Sequence, residues 1–184
     1  EEKNMSLTRD NSKVQEAIFS SLFPKHPYGT QTVLGTQENL KNPSITNIKN
    51  YYKQWYVPNN MAICMSGDLD PDATIALIDK YFGGLKPNPE LPKLDLPKEA
   101  PITQPVVKEV LGPDAESVAL AWRFPGVSDK DFEILQVVSQ VLYNGKAGLI
   151  DLDLNQQQKV LNSYGYPMGL ADYSALLLGG LPKQ

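Results

Sequence analysis

His26 is the single histidine in a chain of 184 residues, and that count decides most of the hydrolytic chemistry the sequence could carry. A catalytic zinc ordinarily takes three protein ligands, commonly including histidines, and keeps a further position for water. One histidine cannot supply that set. A Ser/His/Asp arrangement would need the same His26 as its base, and no Gly-X-Ser-X-Gly elbow occurs. His26 stands between Lys25 and Pro27 in a stretch of turn composition, where a solvated histidine is expected. There is no Walker sequence and no Gly-X-Gly-X-X-Gly, and Gly83-Gly84 fits a helix stop better than a phosphate cradle. Carboxylates pair as Glu1-Glu2, Asp68/Asp70/Asp72 and Asp151/Asp153. The middle set has the look of a calcium loop, but the glycine and bidentate glutamate required further along do not follow. Asp70 ahead of Pro71 is accounted for as a helix cap. Cys64, the one cysteine, excludes an intramolecular disulfide and a cysteine-rich zinc site, and inside an apolar run it is expected as a buried thiol.

The elements around these residues follow from periodicity. Val14, Ala17, Ile18 and Leu22 share one helical face, with Ser12 and Gln15 as a capping pair and Phe23-Pro24 as the stop. Residues 26–42, rich in Gly, Thr, Gln and Asn, predict a long surface connection. Ser44 caps a second helix whose face carries Ile45, Ile48, Tyr52 and Trp55. The aromatic cluster Tyr51, Tyr52, Trp55, Tyr56 is expected to pack in a core or domain contact. Pro58-Asn59-Asn60 ends that helix. Met61 to Met65 is a short, continuously apolar run of the kind found in central strands. Asp70-Pro71 opens a third helix, closed by Gly83-Gly84.

Prolines at 87, 89, 92, 97, 101 and 105 among Lys, Glu and Asp then predict an extended, solvated linker and the best domain boundary. Beyond it, Val106 to Leu111 and Val118 to Phe124 are expected to pair as a hairpin across Gly112-Pro113-Asp114. Ser128 with Asp131 predicts the cap of a helix carrying Phe132, Leu135, Val138, Val141 and Leu142 and ending at Gly145, with a further helix through Gln156-Gln157-Gln158. Asp172 to Leu178 is expected as a strand with an unpaired edge. The fold class is α/β (α+β), with a mixed or antiparallel sheet packed with helices.

Composition narrows the partners. The chain is 41% hydrophobic and 21% charged, ordinary values for a chain that buries a core. A net charge of −4 and a pI near 5.0 give no positive field for a phosphate backbone, so nucleic acid is not expected as a partner. No apolar run approaches the roughly 20 residues of a membrane-spanning helix. The compartment stays open, because a lack of disulfides suits more than one. Glu1-Glu2-Lys3-Asn4 has neither an initiator Met nor signal-peptide order, and the expectation is the interior of a longer chain.

Several short motifs recur in a set order: His26-Pro27-Tyr28-Gly29, Leu34-Gly35-Thr36, Tyr56-Val57-Pro58-Asn59-Asn60-Met61 and Ser66-Gly67-Asp68-Leu69-Asp70. After the linker come Leu120-Ala121-Trp122-Arg123-Phe124-Pro125-Gly126 and Asn144-Gly145-Lys146-Ala147-Gly148-Leu149. In residues and spacing the chain resembles the insulinase/pitrilysin zinc metallopeptidases, the inverzincins, over essentially its whole length. The resemblance implies paired α/β half-modules closing on a peptide, with zinc held by an inverted His-X-X-Glu-His helix and a more distant Glu. That helix is absent here. By the family pattern the distant metal ligand falls on Glu2, with Glu1 as the next choice. The resemblance further implies that residues 1–86 end one half-module, 87–105 form a Pro-rich linker and 106–184 begin the second, non-catalytic half-module, the whole incomplete at both ends. The implied role is that of a structural, substrate-chamber segment of a zinc endopeptidase, itself not catalytic. The alternative is a scaffold subunit of a two-component peptidase. Zinc is expected in the parent protein and not in this segment. The partners would be the remaining half-modules, a peptide substrate in the parent, and a second copy of the segment through exposed strand edges.

Overall fold

The computed structural model describes residues 1–183 as a mixed α/β protein of two compact units, Glu1–Val33 joined with residues 97 onward, and Leu34–Leu96. In the first unit a three-stranded antiparallel sheet has the order β1-β3-β2, from β1 (Val118–Pro125), β2 (Val160–Gly169) and β3 (Tyr173–Pro182). The register sets Ala121 opposite Leu177, Arg123 opposite Ala175 and Met168 opposite Ala175, so these side chains share one face. On that face lies the C-terminal end of α2 (Asp10–Leu22), preceded by the short α1 (Glu2–Thr8) and followed by α3 (Pro27–Thr30). Leu22, Phe23, Ala175 and Leu177 form the core there, with Ile18, Phe19, Tyr28, Ala121, Met168 and Tyr173 packed around it. A buried Leu or Phe of this kind contributes about 1.5–3 kcal/mol. The other face carries α7 (Lys130–Leu142), which buries Leu135 and brings Phe132 against Gly169.

Several expectations are corrected here. α2 begins at Asp10, and Ser12 lies inside it rather than capping it. Asp129, one residue beyond the expected Ser128, caps α7 by accepting from the Asp131 N–H at 2.9 Å. Residues 106–111 form no strand. β1 pairs instead with β3, from Val118 opposite Gly180 to Pro125 opposite Tyr173, a distant partner that no turn signal announces. β3 is therefore the central strand, not an edge. The glutamine helix is also absent: a π-helical turn, Asp151–Asn155, ends before Gln156, and Gln158 takes a positive φ of 51°. β2 escaped the sequence reading because Gly165, Pro167 and Gly169 interrupt its strand pattern. As alternate residues they share the α7 side of an edge strand. There a proline needs no ladder donor, and a glycine admits the close approach of Phe132.

The second unit holds α4 (Gln37–Lys41), α5 (Ile45–Trp55), a 3₁₀ turn (Pro58–Asn60) and α6 (Pro71–Phe82). The expected caps form: Ser44 Oγ accepts from Asn47 N–H at 3.2 Å and Asp70 Oδ1 from Ala73 N–H at 2.8 Å. The expected central strand does not. Met61 to Met65 lies outside regular structure and is exposed, Cys64 included, because no strand among the described residues of this unit offers it a ladder. The α5 face is likewise open at Ile45, Ile48 and Tyr52, its aromatics pairing with each other, Tyr52 with Tyr56 at 4.7 Å between ring centroids. Within the proline-rich stretch, Asn88 is tied to this unit by reciprocal hydrogen bonds with Asn59 at 2.8 and 2.9 Å. Among the described residues no helix is long and apolar enough to cross a membrane.

Candidate functional site

A dense polar arrangement is built where α2 stops. His26, expected in solvent, is 1% exposed, and this overturns its reading as a solvated turn residue. Three aromatic rings enclose it: Tyr28 at 4.2 Å between centroids, Tyr173 at 5.3 Å and Phe23 at 6.4 Å. Its Nδ1 accepts from the Tyr28 N–H at 3.3 Å and so caps α3, which assigns the proton of the neutral ring to Nε2. Nε2 points toward Asp172 Oδ2 at 3.6 Å, and Tyr28 donates its hydroxyl to that same oxygen at 3.1 Å. Gly29 completes the motif because a Cβ there would run into the carbonyl oxygens of Phe19 and Phe23 at the end of α2.

Beneath the histidine, Glu99 is drawn into the same cluster from the proline-rich segment. One carboxylate oxygen accepts from the backbone N–H groups of Lys25 and His26, both at 2.7 Å. The Glu99 N–H in turn donates to the Tyr173 hydroxyl at 2.8 Å. Arg123 of β1 faces the other Glu99 oxygen at 3.9 Å, the two side chains being 9% and 1% exposed. Its guanidinium donates to the carbonyls of Leu22 and Ala100 and lies 5.6 Å from the Tyr173 ring centre. One planar fork thereby closes the end of α2, the linker and the sheet together. The opposite end of α2 is stapled as well: Asp10 accepts from the Asp114 N–H at 2.9 Å and pairs with Lys13 at 2.9 Å. The Asp114 bond, then Lys13, holds the Asp10 carboxyl below its ordinary value.

A second ordered loop surrounds Asp151. Its Oδ2 accepts from Asn144 N–H at 3.0 Å and Gly148 N–H at 3.1 Å, which shapes the Asn144-to-Leu149 motif into a turn. Burial pushes this carboxyl up, but the N–H groups of Asn144, Gly148 and Gly145 with the Asn155 side chain together outweigh it and hold the value low. Tyr143, Lys146, Asp151, Asn155 and Asn162 line a shallow depression of about 340 Å³ beside it.

Neither arrangement is a catalytic set. Among the described residues no three His, Cys, Asp or Glu side chains gather closely enough to hold a metal ion. Glu2, the expected zinc carboxylate, stands exposed in the first turn of α1, preceded by Glu1. His26 is turned inward with Nδ1 already engaged. A zinc site that included Glu2 would draw its further ligands from beyond the described residues. Glu99, Arg123 and Asp172 were not singled out from the sequence. The available signal was a charged Arg123 set between Trp122 and Phe124 in an apolar strand.

The buried cluster ties together residues far apart in the chain. Residues 44–180, more than half of the chain, match the family described as the peptidase M16 inactive domain. The chain belongs to that family. The metallopeptidase resemblance of its motifs is thus borne out. The chain is similar to the zinc protease PqqE of Helicobacter pylori, 28% identical over 173 residues, covering 90% of this chain and 38% of that protein. It is similar to the probable mitochondrial-processing peptidase subunit beta of Schizosaccharomyces pombe, 28% identical over 106 residues, covering 53% of this chain and 23% of that one. The crystal structure of a protease from Helicobacter pylori superposes with a TM-score of 0.78 at 25% identity, over 98% of this chain and 45% of that chain. This M16 domain chain spans less than half the length of these relatives.

Proposed function

We propose that residues 1–184 are a non-catalytic structural segment of a zinc metalloendopeptidase, forming part of the wall and hinge of the chamber that receives a peptide. In this reading residues 1–86 close one half-module, 87–105 link, and 106–184 open the second, non-catalytic half-module. The observation that carries it is the match to an inactive peptidase domain in a chain whose one histidine is buried and engaged in packing. The zinc-protease name of the PqqE relative supports zinc in the larger protein. Glu2 is the carboxylate proposed for it, joining an inverted His-X-X-Glu-His helix elsewhere in that protein. Zinc there would polarise the scissile carbonyl and a bound water. This segment's own part is to hold its helices and sheet in fixed relation through Arg123, Glu99 and His26.

The test compares residues 1–184 with the full-length protein. The segment is expected to bind no stoichiometric zinc and cut no peptide, and the full-length protein to do both, with Glu2→Gln lowering its zinc affinity by about 10–100-fold. Stoichiometric zinc with chelator-sensitive cleavage in the segment alone would overturn the reading. A second reading, a scaffold subunit that activates a catalytic partner, draws on the similarity to a mitochondrial-processing peptidase subunit. It predicts a degenerate His-X-X-Glu-His sequence in the full-length protein and cleavage only when a partner subunit is added.

A further inference from the structure

Asn144-Gly145 is the one Asn-Gly pair in the chain, and that dipeptide carries a chemistry of its own. The backbone nitrogen of residue 145 can attack the side-chain amide carbon of Asn144, and a glycine there offers no Cβ to obstruct the approach. The attacking nitrogen gives up its proton, the amide nitrogen of Asn144 takes one up and leaves as ammonia, and a cyclic succinimide remains. Water then adds to either ring carbonyl and breaks that carbon's bond to the ring nitrogen, which leaves aspartate or isoaspartate at 144. The attack needs the nitrogen turned onto the amide carbon at near-contact distance, with side chain and backbone free to rotate into line.

The folded loop takes that freedom away. The Asn144 side chain is held at both ends: its Oδ1 accepts from the N–H groups of Lys146 at 3.0 Å and Ala147 at 2.9 Å, and its Nδ2 donates to the Gln140 carbonyl at 3.0 Å. Its backbone N–H donates to Asp151 Oδ2 at 3.0 Å, as the Gly148 N–H does at 3.1 Å, and the Gly145 N–H lies against the same carboxylate. Gly145 is fixed between them at a φ of +78°. Asp151 is 4% exposed, and the π-helical turn that carries it is bound to β2, where Asn155 Oδ1 accepts from the Ser163 N–H at 2.8 Å and Asn155 Nδ2 donates to the Ser163 carbonyl at 2.9 Å. All of these partners lie between Gln140 and Ser163, so the loop is closed by its own neighbours in the chain. We propose that Asn144-Gly145 is a latent deamidation site, which the Asp151 carboxylate holds closed in the folded chain and which reacts when residues 144–149 come away from it. The site stands whether or not the full-length protein is a peptidase.

Full-length protein is incubated at neutral pH, native and in guanidinium chloride, and aspartate and isoaspartate at 144 are followed by peptide mapping with mass spectrometry. The native chain is expected to deamidate at Asn144 on the order of a hundredfold more slowly than the unfolded chain, and rates that agree within about threefold overturn the proposal. Asp151→Asn removes the charged acceptor and should speed deamidation of the native protein by about 10–100-fold, the factor that matches the loss of hydrogen bonds to a charged group. Asp153→Asn, at an exposed position of the same turn, should leave the rate unchanged. An Asp151→Asn rate equal to that of the unaltered protein overturns the assignment to Asp151, as does an equal acceleration by Asp153→Asn. Amide hydrogen exchange over 144–148 in the unaltered protein reads the closed loop directly and decides the matter even where Asp151→Asn fails to fold. Those N–H groups are expected to exchange about a hundredfold more slowly than in the unfolded chain, and exchange at the unfolded rate overturns the proposal.

Discussion

Replacing Arg123 with alanine tests whether the buried fork organises the first unit. The change strips the cation from beside a Glu99 carboxylate that is 1% exposed, and takes the donor from the carbonyls of Leu22 and Ala100. Removing one member of a buried pair costs about 3–5 kcal/mol, because the remaining charge is stranded without compensation. The two orphaned carbonyls draw on the same loss and are not added to it. For a chain of this size each kcal/mol lowers the midpoint by about 2–4 °C, so the expected fall is about 6–20 °C. Urea unfolding is followed at Trp122, the neighbour of Arg123, in a Trp55→Phe background that silences the other tryptophan. Arg123→Lys keeps the charge but loses the fork, and is expected to cost about 1–3 kcal/mol. Glu99→Gln combined with Arg123→Met removes both charges, while the neutral amide oxygen at position 99 can still accept from the Lys25 and His26 N–H groups. The double variant should therefore lose less than the sum of its single changes, by about 1–3 kcal/mol. A loss under about 1 kcal/mol for Arg123→Ala, or single effects that add within about 0.5 kcal/mol, would refute the reasoning.

Three further outcomes are expected. Gly29→Ala forces a Cβ against the Phe19 and Phe23 carbonyls and should cost about 1–3 kcal/mol by equilibrium unfolding, with Gly35→Ala as a comparison where the added Cβ meets open space but a positive φ of 70°. The folded-state values of Asp10 and Asp151 are both lowered, so their contribution is present above the unfolded carboxylate value near 3.8 and is lost as pH falls through the folded value. Asp10→Asn and Asp151→Asn should each flatten the acid limb of a melting-temperature profile below about pH 4, and an unchanged limb would contradict the assignment. Glu2→Gln should leave the stability of residues 1–184 within about 0.5 kcal/mol, since Glu2 is exposed, while lowering zinc affinity in the full-length protein.

The short-range features were legible in the amino-acid order because they are short-range. Ser44 and Asp70 cap their helices through donors three residues away, and Pro24 and Pro58 lie just beyond the ends of α2 and α5, which a proline cannot continue. The order of modest motifs from His26 to Leu149 was enough to mark the peptidase family, which the match over residues 44–180 shows. The expectation that this chain does not complete a zinc site likewise rests on composition, since a single histidine is a count and needs no coordinates. What tertiary structure alone decided were the partners. His26 carries turn-forming neighbours, and its burial comes from Tyr28, Tyr173 and Phe23 closing over it. Glu99 sits in proline-rich sequence of solvated character, yet two N–H groups and an arginine far along the chain draw it inside. β1 passed over Val106 to Leu111 for β3, because strand pairing is settled by which edge and face are free in the folded unit. Met61 to Met65 has the composition of a buried strand and stands exposed, because composition states what a segment needs and only its spatial neighbours can supply it.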